Sequence, residues 1–220
     1  MNLLKRFANK SFSDIYVFFK NLVMSRFRFV KLIIQAKLNG AEIQVGRNVK
    51  FNHKISFQGK GKLVVHNNVV FGYHMAGSND QGIILQVRFS HSQIIIGENS
   101  QIMNGCELFS TSSINIAKDV LLGAGVKIMD SDFHELNPSN RLNSGPSIPI
   151  IIHNNCWVGI DSLLLKGTEI GENSVVGAKS VVITKSLNIL TSVEKEAREP
   201  AKINLESINP AKCFFITIKI

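Results

Sequence analysis

The residues best suited to proton transfer cluster around one histidine. His134 is preceded by Asp130 and Asp132 and followed directly by Glu135. A neutral imidazole accepts a proton near pH 7, and a neighbouring carboxylate can hold the ring in one tautomer. The other five histidines have no metal-ligand spacing, so the sequence predicts no metal site. His134 is therefore the candidate for acid–base chemistry, with Asp132 as its candidate orienting partner and Asp130 and Glu135 as rivals.

The sequence around this histidine repeats every six residues, from about residue 43 to residue 184. An aliphatic residue recurs in the clearest series at Ile152, Val158, Leu164, Ile170, Val176 and Val182. A small residue stands four positions after each, at Cys156, Ser162, Thr168, Ser174, Ser180 and Ser186. A period of six matches neither an α-helix nor a free-standing strand. It predicts a triangular coil in which each hexapeptide supplies one short strand, with its aliphatic residue inside, and one corner.

Two further features follow from this register. Cys106 and Cys156 occupy small-residue positions, which predicts that they pack at corners and take no part in catalysis. Ile116, Leu122 and Ile128 share the phase of the later series, and the next inward position would be residue 134. Residues 134–151 equal one coil in length but are rich in proline and asparagine, which disfavours stacked strands. We therefore predict a loop that leaves the coil at the histidine, and a second, less regular break at residues 72–92.

The positive charge of the chain is concentrated at its N-terminus. The 220 residues carry 25 Lys or Arg and 16 Asp or Glu, a net charge of +9. Residues 1–40 hold eight of the basic groups and one acid, which is +7 and leaves +2 for the remainder. Nucleic-acid recognition would place the basic residues on the folded body, so we predict no nucleic-acid partner. Three scattered cysteines fit a reducing, cytoplasmic compartment.

The basic N-terminal segment is predicted to be helical. It lacks proline, and its large apolar residues recur every three or four positions. Basic residues interrupt the apolar stretch, which argues against a membrane span. Two placements are open: a lid packed on the domain or on a partner subunit, or a helix (residues 1–38) lying on the anionic inner face of a membrane.

The repeat and the histidine loop together resemble the hexapeptide-repeat acyltransferases. The resemblance is closest to the maltose, galactoside and xenobiotic acetyltransferase branch, and within it to polysaccharide O-acetyltransferases. The matching stretches are residues 130–134 (DSDFH), Arg141, residues 149–159 (PIIIHNNCWVG), residues 167–178 (GTEIGENSVVGA) and the pair Thr184-Lys185. Ile183 adds one residue before that last pair, which displaces it from the register.

The resemblance implies a fold, an assembly and a donor. It implies an all-β solenoid, a left-handed parallel β-helix, assembled as a homotrimer with active sites between subunits. The donor would be acetyl-coenzyme A and the acceptor a sugar or glycan. His134 would be the general base, and Asn104 and Arg141 weaker candidates for acceptor binding. The donor-binding residues carried over from the family are Trp157, Gly159 (with a backbone N–H near it as oxyanion donor), Ala178, Thr184 and Lys185.

The predicted organisation has three parts, and three functions remain open. The parts are a basic helical segment (1–40), the β-helix (41–187) with its loop 134–151, and an extension (188–220) containing a short helix and a strand. The leading function is O-acetylation of a sugar hydroxyl in surface-polysaccharide synthesis. The alternatives are N-acetylation of a nucleotide-linked amino sugar, and a non-catalytic β-helix used for binding or assembly.

Overall fold

The chain folds as one long α-helix followed by a triangular prism of short β-strands. The structure, a computed structural model, describes residues 11–73, 81–135 and 137–183, and the backbone of two further strands at 185–186 and 214–216. Helix α1 spans Phe12–Asn39. Within these ranges a single 3₁₀ turn, Pro138–Asn140, lies among the strands. The predicted Thr184, the side chain of Lys185, and the predicted helix at 191–198 lie outside the described residues.

The described part of the chain forms twenty strands after α1, each two to five residues long. In chain order they are β1 Glu42–Val45, β2 Lys50–Phe51, β3 Ile55–Gly59, β4 Lys62–Val65, β5 Val70–Phe71, β6 Ile83–Val87, β7 Gln93–Ile96, β8 Gln101–Ile102, β9 Glu107–Ser110, β10 Ser113–Ile116, β11 Leu121–Leu122, β12 Lys127–Met129, β13 Ile150–Ile152, β14 Trp157–Val158, β15 Leu163–Leu165, β16 Glu169–Ile170, β17 Ser174–Val176, β18 Val181–Val182, β19 Lys185–Ser186 and β20 Phe214–Ile216.

Every third strand joins the same sheet, so the three sheets form three faces of a prism. The first face runs from β1 to β19, the second from β2 to β17, and the third from β3 to β18. All neighbouring strands within a face pair in parallel. β20 adds to the second face beside β17. This is the predicted left-handed parallel β-helix, and the prediction of the fold is confirmed.

The inward register is also the predicted one. The six aliphatic residues of the clearest series are all completely buried, from Ile152 to Val182. Equivalent positions stack directly, as in Ile116 on Ile152 and Ile152 on Ile170. Fully burying one such side chain contributes about 1.5–3 kcal/mol. The stacked column of aliphatic residues is therefore the main source of the prism's stability.

The corner between the first and second faces is held by a ladder of polar side chains. Asn48 donates to Asn68 over 2.9 Å, Asn68 to Asn99 over 3.1 Å, and Asn99 to Asp119 over 2.9 Å. All four residues have left-handed backbone angles, with φ near 60°. Asn and Asp tolerate this conformation better than other non-glycine residues, which explains their recurrence at the turn.

Helix α1 begins and ends with well-formed caps. Ser11 accepts a hydrogen bond from the backbone N–H of Asp14, and the Asp14 carboxylate accepts one from the backbone N–H of Ser11. Gly40 ends the helix in the left-handed conformation and donates to the carbonyls of Ala36 and Lys37. The capping box and the glycine cap fix the helix limits.

Helix α1 covers the exposed edge of the first coil. Leu32 and Ala36 are fully buried against the core. Ser25 accepts from the N–H of Phe51 over 2.9 Å, and Arg28 donates to the Phe51 carbonyl over 2.9 Å. These side chains satisfy backbone groups that no further strand pairs with, as an open sheet edge requires. Of the two predicted placements, packing on the domain is therefore present in the structure.

The two cysteines of the prism are inert corner residues. The thiol of Cys106 donates to the Gly123 carbonyl over 3.1 Å, and that of Cys156 donates to the Gly171 carbonyl over 3.0 Å. Burial raises the pKa of Cys106 to about 12 and that of Cys156 to about 11.

We expect both thiols to stay protonated and resist iodoacetamide in the folded chain at about pH 8, since the thiolate is the reactive form. Peptide mass spectrometry before and after urea unfolding measures this. Alkylation at equal rates in both states would contradict the corner role of the two cysteines.

Candidate functional site

One long loop replaces a corner of the prism between the third and first faces. β12 ends at Met129 and β13 begins at Ile150, so the loop spans residues 130–149. The predicted loop, 134–151, therefore began four residues too late and ended two residues too late, inside β13. Ile150 and Ile152 are completely buried, which shows that the chain re-enters the stack in phase.

A buried carboxylate closes the neck of this loop. Asp130 is completely buried and accepts hydrogen bonds from the hydroxyls of Ser110 and Thr111 and from the backbone N–H groups of Thr111 and Ser112, over 2.8–3.0 Å. The backbone carbonyl of Asp130 accepts from the N–H of Ile148, near the end of the loop. A buried charge is stable only with such full hydrogen bonding. Asp130, a predicted rival for orienting the histidine, is therefore committed to the neck.

The chain makes a sharp turn immediately before the histidine. Phe133 has φ of 61°, and its N–H donates to the hydroxyl of Ser131. The Phe133 ring meets Phe109 edge to face at 6.4 Å, and the Arg88 guanidinium lies 5.6 Å from its centroid. Left-handed backbone is uncommon for an aromatic residue, so these contacts hold a conformation that aims the next side chain away from the prism.

His134 projects into solvent, and its ring is fixed by one backbone hydrogen bond. Nδ1 lies 2.9 Å from the carbonyl oxygen of Arg141 on the other side of the loop. A carbonyl oxygen only accepts, so in the neutral ring Nδ1 carries the proton and Nε2 has the lone pair. The loop thus selects the tautomer in which the outward nitrogen of His134 can accept a proton.

The carboxylate predicted to orient this ring is bound elsewhere. Asp132 forms an ion pair with Lys166, which lies one coil further along the prism. This pair ties the loop to the next coil, as does the hydrogen bond from the Gly167 N–H to the Ile148 carbonyl. The Arg141 carbonyl therefore holds the place that the sequence suggested for Asp132, and Asp132 positions the loop itself.

Two open grooves lie on either side of His134. One, of about 570 Å³, has an aromatic floor and a single charged side chain, Arg88. The other, of about 400 Å³, is lined by polar groups including Asp132, Glu135 and Arg141. The larger groove is walled by Phe89, Phe109, Phe133 and Leu142. His134 is therefore accessible from both sides of the loop.

Three of the five residues predicted to bind a donor, Trp157, Gly159 and Ala178, lie on a different part of the prism from His134. Lys185 begins β19 on the first face, and Thr184 is outside the described residues. Trp157 is 51% exposed on the second face. Gly159 and Ala178 stack at the corner between the second and third faces, where a Cβ on Gly159 would lie 2.5 Å from the Ala178 nitrogen. His134 belongs to the corner between the third and first faces. One copy of the chain therefore does not bring the two sets together.

Two groups predicted to bind donor or acceptor make hydrogen bonds within the chain. The N–H of Gly159 donates to the Val176 carbonyl over 2.8 Å, so this N–H is used within the ladder. Asn104 is buried and its amide bonds both the N–H and the carbonyl of Tyr73. Arg141, in contrast, lies in the loop and lines the smaller groove beside His134.

Sequence reasoning missed three residues that shape the site. Arg88 directly follows β6, two coils before the loop, and Phe109 lies in β9, one coil before it. Lys166 comes from the coil after the loop. Their separation in sequence gives no local pattern. Counting coils of 18 to 20 residues would have placed Phe109 beside the loop exit, since it pairs with Met129 in the third face.

Comparison with known proteins agrees with this architecture. Residues 149–184 match a family described as bacterial transferase hexapeptide, six repeats. This segment of the chain is similar to hexapeptide-repeat transferases. The match covers the coils from β13 onward, directly after the loop.

Several proteins with acetyltransferase names are similar to this chain. The galactoside O-acetyltransferase of Escherichia coli is 33% identical over 100 residues, 44% of this chain and 48% of that protein. WbbJ of Escherichia coli, provisionally named a lipopolysaccharide biosynthesis O-acetyl transferase, is 31% identical over 104 residues, 43% of this chain and 53% of that protein. The chain spans about half the length of these two relatives.

The polysialic acid O-acetyltransferase OatWY is a similar solved structure, at 18% identity over 74% of this chain and 80% of that chain, with a TM-score of 0.49. The predicted resemblance to hexapeptide-repeat acyltransferases is confirmed by the repeat and by the curated relatives.

Replacing the neck carboxylate tests how the loop is held. Asp130→Asn presents an NH₂ group to two of the four donors. We therefore expect the free energy of unfolding, measured in urea, to fall by about 2–4 kcal/mol. The matched control is Asp119→Asn, the same change at an exposed corner, which should be nearly neutral. Equal stability losses in the two variants would show that the neck network contributes nothing specific.

Proposed function

We propose that this protein is an acetyl-coenzyme A-dependent O-acetyltransferase that acts on a sugar hydroxyl, with His134 as general base. The single observation that carries the proposal is the hydrogen bond between Nδ1 of His134 and the Arg141 carbonyl. It leaves Nε2 as a proton acceptor beside two grooves large enough for a sugar ring. The acetyltransferase names of the relatives support the same class of reaction.

The proposed reaction is one acyl transfer in which all atoms are accounted for. The acceptor hydroxyl oxygen attacks the thioester carbonyl carbon while its proton passes to Nε2 of His134. The carbon–sulfur bond then breaks, and the imidazolium returns the proton to the departing thiolate. The products are an acetate ester and coenzyme A, and no metal is required.

The acceptor groove favours a sugar over a peptide or nucleic acid. Its aromatic floor, with Phe89 and Phe109, suits the apolar face of a pyranose ring. Among the described residues that line it, Arg88 supplies the only charge, which favours an acceptor bearing a carboxylate or phosphate. Arg141 lies on the other side of His134, where it can contact the same acceptor.

The donor arm is proposed to lie along the corner formed by Gly159 and Ala178. Ala178 is exposed and carries only a methyl group, so a narrow chain can approach the backbone there, and Trp157 offers an exposed apolar wall. Gly159 is buried, and its lack of a side chain lets the coil of Ala178 stack closely against it. Thr184 and Lys185 remain proposed phosphate contacts. Because this corner and His134 lie on different edges of one prism, a complete site needs a second copy. This supports the proposed homotrimer.

Removing the base is the direct test. His134→Ala should lower turnover about 10²–10⁴-fold, because a positioned general base contributes that much, and should leave coenzyme A binding by calorimetry unchanged. His153→Ala is the matched control, since His153 pairs with Glu169 on the first face, away from the loop. If the His134 variant turned over within roughly twofold of that control, the assignment of His134 as general base would be refuted.

Shared sites can be tested by mixing two inactive variants. Ala178→Trp should block the donor corner, and His134→Ala removes the base. In trimers mixed at equal ratio, about one quarter of the sites combine an intact histidine from one copy with an intact corner from its neighbour. We expect about a quarter of the normal activity after co-expression. No recovery, with mixed trimers confirmed by mass spectrometry, would place each site within one copy.

The bond formed distinguishes O- from N-acetylation. An acetate ester on the product should be lost under mild alkali, with a mass decrease of one acetyl group seen by mass spectrometry. An alkali-stable product would indicate an amide and favour the alternative acceptor, an amino sugar.

A further inference from the structure

The helix that caps the prism has an exposed apolar stripe on the side that faces away from it. Leu32 and Ala36 point into the core. With 3.6 residues per turn, the stripe residues fall about half a turn away from them. They are 52% to 82% exposed: Tyr16, Val23, Phe27, Val30, Ile34 and Leu38. Six large apolar side chains in one row exceed what a solvated helix face carries.

The direction of this stripe is fixed by the prism. Ser25 and Arg28 are hydrogen-bonded to Phe51, and Gln35 accepts from the N–H of Phe57 over 3.3 Å. Burial of Arg28 lowers the pKa of its guanidinium, as expected for a side chain committed to the packed side. The helix therefore does not rotate to bury its stripe against its own domain.

Cationic side chains flank the stripe on both sides. Lys20 and Lys31 are exposed along one border, and Arg26 and Lys37 along the other. Asp14 is the only acid in α1, and it is engaged in the N-terminal capping box. The surface thus combines apolar area with positive charge and offers no negative charge.

We infer that α1 seats the prism on an anionic membrane surface, with the stripe in the headgroup–acyl boundary and the flanking cations at the lipid phosphates. Apolar burial and attraction to anionic lipid add in such a helix. Packing against α1 of a second copy is disfavoured, because it would bring the cationic borders together without a helix acid to pair them. Neither α1 nor any other described helix has the length and apolar run needed to cross a bilayer.

The inference goes beyond the proposed enzymatic function and stands or falls separately from it. It concerns where the prism sits, and it uses none of the groups assigned to catalysis. A membrane-held enzyme would meet its acceptor on a lipid carrier or at the membrane surface.

The test is flotation of the full chain with vesicles of phosphatidylcholine mixed with phosphatidylglycerol. We expect flotation with these vesicles, and much weaker flotation with pure phosphatidylcholine or at high salt, where the charge attraction is screened. Lys20→Glu with Lys31→Glu should lower the partition coefficient about thirtyfold or more. Val23→Ser with Phe27→Ser should abolish flotation.

Matched controls separate the stripe from general charge and hydrophobicity. Lys60→Glu with Lys118→Glu makes the same charge change on exposed positions of the prism, and should leave flotation intact. Val17→Ser removes an exposed apolar side chain of α1 that lies off the stripe, and it should also leave flotation intact. Circular dichroism checks that every variant is folded.

Three outcomes would overturn the inference. They are no flotation of the intact chain, equal flotation of the stripe variants and their controls, or a fall in oligomer mass on sedimentation caused by the stripe changes without lipid. The last would show that another copy of the chain covers the stripe. Acetyl transfer to a soluble acceptor can be measured alongside, so failure of the membrane inference is distinguishable from failure of the proposed function.

Discussion

The structure depends on one constraint, the parallel stacking of successive coils at the spacing of a β-ladder. At about 4.8 Å per coil, every inward side chain sits directly on the equivalent residue of the previous coil. The interior therefore accepts one aliphatic residue per hexapeptide, and the corners accept small residues or left-handed asparagine. Any departure from the repeat has to leave the stack completely and return in phase.

The loop at residues 130–149 shows how such a departure is made stable. Removing a corner leaves backbone N–H groups of the previous coil without their usual partners. The Asp130 carboxylate accepts from two of them, at Thr111 and Ser112. The backbone carbonyl of Asp130 accepts from the N–H of Ile148. The backbone groups at the neck are therefore hydrogen-bonded, as they are in the coils around it. Beyond the neck, the Arg141 carbonyl holds the solvent-exposed imidazole of His134 in one tautomer.

The same stacking constraint explains helix α1. A coil at the end of the stack exposes an unpaired edge, which invites association with other chains. Hydrogen bonds from Ser25, Arg28 and Gln35 satisfy part of that edge, and Leu32 closes the core above it. A helix committed on one side to this task can still present a different chemistry on the other. Helix α1 thus combines the capping of the prism with the proposed attachment to a membrane surface.

The sequence by itself determined the triangular coil, because a six-residue period matches neither an α-helix nor a free-standing strand and each inward position can be counted; the left-handed sense came from the family resemblance. The sequence also located the loop that carries His134, since the loop appears as a break in that count. It did not determine the partners of the histidine: a backbone carbonyl has no sequence signature, and Asp132 is close in sequence yet paired with Lys166. Only the tertiary structure could place Arg88 at the groove, because its contact with the Phe133 ring joins residues 45 positions apart, across two coils and the turn of the loop. It alone separated His134 from Gly159 and Ala178, since that depends on which edge of the prism each corner occupies.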